Sequence, residues 1–211
     1  MNELNLSKVV SESWRLFSEN LVVILSVFIV YIIVSILTSF LTAAVPEDAV
    51  GLVVIVNVID FMISSFLTAG LYRFGLNIIQ GRDAAVGDLF SQSASTTLKL
   101  IGLSILVGLL VLVGFILLIV PGIILALKYS MVFQVLIDER VGPLEAMDKS
   151  SQLTSGHKLQ LFLLGFINLG IIILGALCFG IGLLVALPVT WLTTFVAYKM
   201  LNPAITDMQP V

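Results

Sequence analysis

The chain has 211 residues, 59% of them hydrophobic and 11% charged, with a formal net charge of -3 and a mean hydropathy of +1.17. Soluble domains carry roughly 25% charged residues, so this composition excludes an ordinary soluble protein and points to an integral membrane protein. There is no basic stripe, no zinc-ligand spacing and no interleaving of aromatic with basic residues, which excludes the common nucleic-acid-binding designs.

The first segment, residues 2–20, has helical periodicity. Leu6, Val10, Trp14, Phe17 and Leu21 recur at steps of three or four, and Glu3, Lys8, Glu12, Arg15 and Glu19 fall on other faces. This pattern predicts an amphipathic helix on the membrane surface, with Trp14 at headgroup level. The mixed charges and the long apolar run that follows differ from a secretory signal, so the segment is expected to stay on the chain.

Six apolar runs follow, with predicted spans at about 21–44, 50–71, 98–119, 122–137, 159–179 and 183–200. Pro46-Glu47-Asp48 is an acidic turn after the first. Tyr72-Arg73 ends the second. Asp83 reads as an N-cap for a short amphipathic segment holding Val86, Leu89, Phe90 and Thr97. Pro121-Gly122 breaks the chain between spans three and four. Pro143 suits the first turn of a further amphipathic segment, and Gly156 suits its end. The predicted fold class is therefore all-α: a single polytopic bundle, residues 1–211, of six transmembrane helices with amphipathic helices on one side.

The basic residues fix the expected orientation. Lys8, Arg15, Arg73, Arg82, Lys99, Arg140, Lys149, Lys158 and Lys199 flank the same ends of the spans, and the turns after spans one, three and five hold no Lys or Arg. Positive charge in short loops marks the cytoplasmic side, so both termini are expected in the cytoplasm. Lys128 is the exception, because it lies inside the fourth predicted span. A weak threefold plan is also visible: surface segment, outward helix, turn with proline nearby, inward helix ending in an aromatic-basic pair. Pro46, Pro121 and Pro188 mark it, as do Tyr72-Arg73, Lys128-Tyr129 and Tyr198-Lys199.

Few residues carry chemistry. Asp60 lies about ten residues into span two, and Asn57 is one turn before it on the same face. An ionisable group at that depth costs at least ~2.5 kcal/mol unless it is paired or faces a polar cavity. Lys128 is expected at a comparable depth in the outer half. Asp60, Asn57 and Lys128 thus form the candidate intramembrane polar site, read either as a structural clamp between helices or as an ion, proton or headgroup site. Asn168 is expected to bond to a neighbouring helix. Ser104 with Gly108, and Ala176 with Gly180, fit small-xxx-small helix packing. Cys178 is expected to pack as a small hydrophobe, and His157 to be a solvated residue at the membrane edge. Asp138, Glu139, Glu145 and Asp148 read as solvated helix-end acids. No nucleophile–base pair, metal set or nucleotide motif is present, so no catalytic residue, metal or cofactor is assigned.

The segment VPGIILALKYSMVFQVLIDE, followed by PLEAMDKSSQLTSGHK, resembles the signature of a bacterial six-helix inner-membrane family. The family includes the membrane domain attached to some glycerophosphodiester phosphodiesterases and uncharacterised stand-alone proteins of the YciC type. SESWRLFSEN and AGLYRFGLNIIQGRDAAVGDLF resemble its other segments. The resemblance implies a helical bundle in a bacterial cytoplasmic membrane. The phosphodiesterase catalytic domain has no counterpart in this chain. The resulting expectation is a non-enzymatic membrane scaffold or accessory subunit in envelope or lipid-related processes, with membrane lipids and other membrane proteins as partners. The alternative is a small transporter or channel that uses the Asp60–Lys128 site.

Overall fold

A computed structural model describes residues 4–46, 48–178, 180–202 and 205. Glu3, Glu47, Phe179 and the polar tail apart from Asn202 and Ile205 lie outside the described residues. Every regular element among the described residues is helical. In chain order they are α1 (Leu6–Glu19), α2 (Leu21–Ala43), α3 (Val50–Ile79), a 3-10 helix (Val86–Phe90), α4 (Ala94–Leu117), α5 (Ile119–Lys128), α6 (Val132–Asp138), α7 (Pro143–Leu153), α8 (Lys158–Leu177) and α9 (Leu183–Leu201).

Among the described residues, six helical stretches are long and apolar enough to cross a membrane; α5 and α6 together make the fourth, Ile119–Asp138. The order is a short element and two spans, three times over, as the sequence plan anticipates. The boundaries differ from the expected ones in instructive ways. Helix α3 runs 30 residues, about 45 Å at 1.5 Å per residue, against a hydrocarbon core of about 30 Å. Tyr72-Arg73 marks the end of its apolar part but not of the helix. Asp83 is not the N-cap; the 3-10 helix starts after Ala85, whose N–H donates to Asp88 Oδ2 at 3.1 Å. Thr97 belongs to α4, which Ser93 caps by accepting the Thr96 N–H. Pro143 opens α7, and Gly156 follows it with φ +82°.

The break between spans three and four falls at Leu118, which is extended, and Pro121 sits harmlessly in the first turn of α5. Gly114 and Gly122 bring the two helices together there: a Cβ on Gly114 would stand 3.0 Å from the Gly122 Cα. A second break, at Tyr129–Met131, splits the fourth span into α5 and α6.

The core lies at one end of the bundle, the end that carries α1, the 3-10 helix and α7. In α3 the buried residues run from Ser65 to Ile79, and the first half of the helix is exposed or half-buried. In α9 they run from Ala186 to Tyr198. An aromatic cluster joins four helices: Trp191 meets Phe28, Phe74 and Phe195 with ring centroids 5.5, 6.3 and 4.5 Å away. Tyr72 meets Phe133 and Phe195, each at 5.6 Å. At the opposite end, Phe40, Ile116, Leu118 and Leu177 are each about 70% exposed (72, 74, 68 and 73%), as expected of side chains whose solvent is lipid.

Helix α1 packs against α9. Its buried face is Val9, Ser13, Leu16 and Phe17, rotated from the expected one, so Trp14 stays 55% exposed. Asn5 caps the helix by accepting the Lys8 N–H at 3.1 Å. Arg15 forks between Glu12 and Glu19. The Arg15 guanidinium, bonded to Glu12, holds that carboxyl below its usual range.

Candidate functional site at the basic end

The structure does not bring the predicted polar triad together. Asp60 is half-buried in α3, and Asn57 is exposed, its amide donating to the Val53 carbonyl at 2.8 Å on its own helix. Among the described residues no ion pair joins Asp60 to Lys128. Lys128 is the last residue of α5, and its carbonyl accepts hydrogen bonds from Ser150 Oγ at 3.0 Å and Thr154 Oγ1 at 3.1 Å. Those hydroxyls come from α7 and the residue after it, so Lys128 lies level with the short elements of the basic end and not in the outer half. Packing also separates the two helices sideways. Helix α5 lies mainly against α4 and α8, while α3 lies against α2, α4, α6 and α9. The Lys128 ammonium stands 5.3 Å from the Tyr129 ring centroid and at a helix C-terminus, both favourable to a cation. The one exception to the charge asymmetry thus joins the other basic residues.

The glycines that matter are also different. Gly108 has open space where a Cβ would stand. Gly70 carries the 3-10 helix, and a Cβ there would collide with the Leu89 backbone. Asn168 does bond across, its amide donating to Thr193 Oγ1 on α9 at 2.8 Å. Cys178 is exposed. His157 is half-buried, with a buried Nδ1 that has no hydrogen-bond partner among the described residues.

Asp138 is the residue that periodicity hid. It reads as a helix-end acid, and it is a hub. Gln80 Nε2 donates to its Oδ1 at 2.7 Å, and the Tyr198 hydroxyl donates to its Oδ2 at 2.9 Å. Asn202 Nδ2 donates in turn to the Tyr198 oxygen at 3.0 Å. The carboxylate ties together the ends of α3, α6 and α9. Its partners are 58 and 60 residues away in sequence, so no local pattern announces it. Around it, Lys149 bridges Glu139 and Glu145, which raises the Lys149 pKa above its ordinary value.

A cavity of about 540 Å³ opens beside this hub. It lies between the last turns of α3, the 3-10 helix, the start of α4 and the linker after α6. Arg73, Lys99 and Arg140 line it, together with Asn77, Asp88 and the hydroxyl-rich run from Ser91 to Thr96. Asp88 is engaged, accepting from Asn77 Nδ2 at 3.0 Å and from the Ala85 N–H. None of the three cations forms an ion pair among the described residues. A second cavity at this end, about 380 Å³, holds Arg15, Glu19, Arg82 and Lys199, but there Arg15 is already neutralised.

No curated protein and no solved structure matches the chain. A family model described as "Protein of unknown function (DUF975)" matches residues 90–204, which is more than half of the chain and runs from the end of the 3-10 helix through α9. The chain belongs to this DUF975 family, as an all-helical, multi-pass membrane-type protein.

Proposed function

We propose that the protein is a non-enzymatic, multi-pass component of a bacterial cytoplasmic membrane, with both termini in the cytoplasm. It acts as a scaffold or accessory subunit in envelope or lipid-related processes. The observation that carries this reading is the uneven build of the bundle. The three short elements, the basic residues and the bulk of the buried core meet at one end. The other half presents apolar side chains outward along six spans. A protein whose specific surface is confined to one membrane face suits a platform. The charge asymmetry supports a cytoplasmic position for that face. The segments resembling the membrane domain of glycerophosphodiester phosphodiesterases add a lipid-related setting. A platform also suits the placement of Asp60, Asn57 and Lys128, which do not converge on one path through the bundle as a carrier would need. Trp14, Phe90 and Leu144 are 55, 54 and 74% exposed on the short elements, and they fit membrane-surface anchors or contacts to a partner.

Purification from native membranes in mild detergent tests the reading. The expected result is a defined lipid or membrane protein retained in fixed proportion, and lost from the Leu144→Ser variant. A homogeneous, lipid-free lone protein whose loss from cells abolishes a solute flux would overturn it.

A further inference from the structure

We propose that the cavity between α3, the 3-10 helix, α4 and the post-α6 linker is an anion site that takes a phosphate group at the membrane interface. Three observations converge on it. First, its cations come from three different spans, each at the edge of the apolar sequence. Arg73 follows the apolar part of α3, Lys99 precedes that of α4 after Leu98, and Arg140 follows α6. That level is where lipid phosphates lie. Second, the three share one cavity and none of them has a carboxylate partner among the described residues, whereas Arg15 in the neighbouring cavity has two. Three cations face a single acid, Asp88, so the lining is net positive, and Asp88 Oδ2 is already engaged by Asn77 and the Ala85 N–H. Like charges around one cavity repel unless an anion offsets them. Third, the polar lining is of the type phosphate accepts from: guanidinium N–H groups, hydroxyls from Ser91 to Thr96, and the first turn of α4, a 24-residue helix.

Arg140 adds a distinctive point. It is the one non-glycine with positive φ among the described residues, at 55°. Glycine adopts that backbone at lower cost than any L residue with a side chain. An arginine there, lining the cavity, accepts a backbone penalty in exchange for a guanidinium in that place.

The phosphate could belong to a phospholipid headgroup or to a soluble phosphate. The site needs only a membrane-inserted chain, so it stands or falls separately from the scaffold role. The test uses the full-length protein in mild detergent. Native mass spectrometry is run with added phosphatidylglycerol, and calorimetry with inorganic phosphate. Arg73→Gln, Arg140→Gly and the double variant are compared with wild type and with Arg82→Gln, which alters the same end outside this cavity. Arg140→Gly keeps or raises the melting temperature, because it relieves the left-handed backbone, so a loss of binding there is not a loss of fold. The expected result is retention of phosphatidylglycerol, weakened about tenfold or more by either single variant and untouched by Arg82→Gln. Binding of inorganic phosphate with the same variant dependence, and none of the lipid, identifies the soluble source and also supports the site. Binding of neither, or binding that Arg73→Gln and Arg140→Gly leave intact in folded protein, overturns it.

Discussion

At the scale of single residues, the fold depends on a few close approaches and one buried acid. Gly70→Ala pushes a methyl into the Leu89 backbone. Overpacking of this kind costs ~1–3 kcal/mol, so thermal melts in detergent should show clear destabilisation. Gly108→Ala meets open space and should be neutral or stabilising by up to ~1 kcal/mol through helix propensity. Tyr198→Phe removes the hydroxyl that donates to Asp138 and accepts from Asn202. Hydrogen bonds to charged groups are worth ~1.5–3 kcal/mol, and the same melts should register a loss of that order. For Asp60→Ala and Lys128→Ala, the separation of the two residues predicts additive effects in a double-mutant cycle, within ~0.5 kcal/mol. Rescue in the double variant would mean that the two residues touch after all.

These residues also mark the limit of what the sequence discloses. Pro143 and Gly156 announce their roles because a missing N–H and a positive φ are local constraints. Asn168 is legible because an amide in an apolar helix must find a partner, and the nearest helix supplies one. Asp138 is illegible, since its role comes from side chains contributed by α3 and α9. Lys128 misleads for a related reason. Its apolar neighbours imply an unbroken span, and the break after it becomes visible only once Ser150 and Thr154 are seen to hold its carbonyl.

Among the elements, α7 is the wedge that makes the broken fourth span tolerable. A helix C-terminus leaves carbonyls without partners, and α7 satisfies one of them at Lys128. Ser150→Ala combined with Thr154→Val orphans that carbonyl, at a cost of ~1–3 kcal/mol. Hydrogen exchange should then speed up across Leu125–Val135 and leave α2 unchanged. Helix α1 depends on pH in a definite direction. Glu12 is held below its usual pKa by Arg15, so its contribution is full above the ordinary carboxylate range and is lost as pH falls from that range through the lowered value. The pair is surface-exposed and worth no more than ~1 kcal/mol. Amide exchange in α1 should rise modestly below about pH 4, and in Glu12→Gln it should be already raised and flat. The run of short elements was legible from periodicity, but their seating was not. Burial of Val9, Ser13, Leu16 and Phe17 follows from contact with α9, and a serine on the buried face weakens any hydrophobic reading of it.

For the molecule as a whole, the six spans and the charge asymmetry follow from composition and order alone, because bilayer thickness and backbone hydrogen bonding leave an apolar chain few options. The cation-lined cavity could not be read the same way. Arg73, Lys99 and Arg140 are spread over three interfacial segments, and in the sequence each looks like an ordinary flanking charge. Only the packing of α3, the 3-10 helix and α4 gathers them around one space.

The proposed cytoplasmic placement of the packed, basic end is tested most directly by cysteine accessibility. In a Cys178→Ser background, Asp48→Cys marks the turn after α2 and Ser155→Cys marks the segment after α7; both positions are exposed. A membrane-impermeant maleimide is applied to spheroplasts before and after permeabilisation. The expected result is immediate labelling of Asp48→Cys, with labelling of Ser155→Cys only once the membrane is opened. Labelling of Ser155→Cys in sealed spheroplasts, with Asp48→Cys protected, would contradict it.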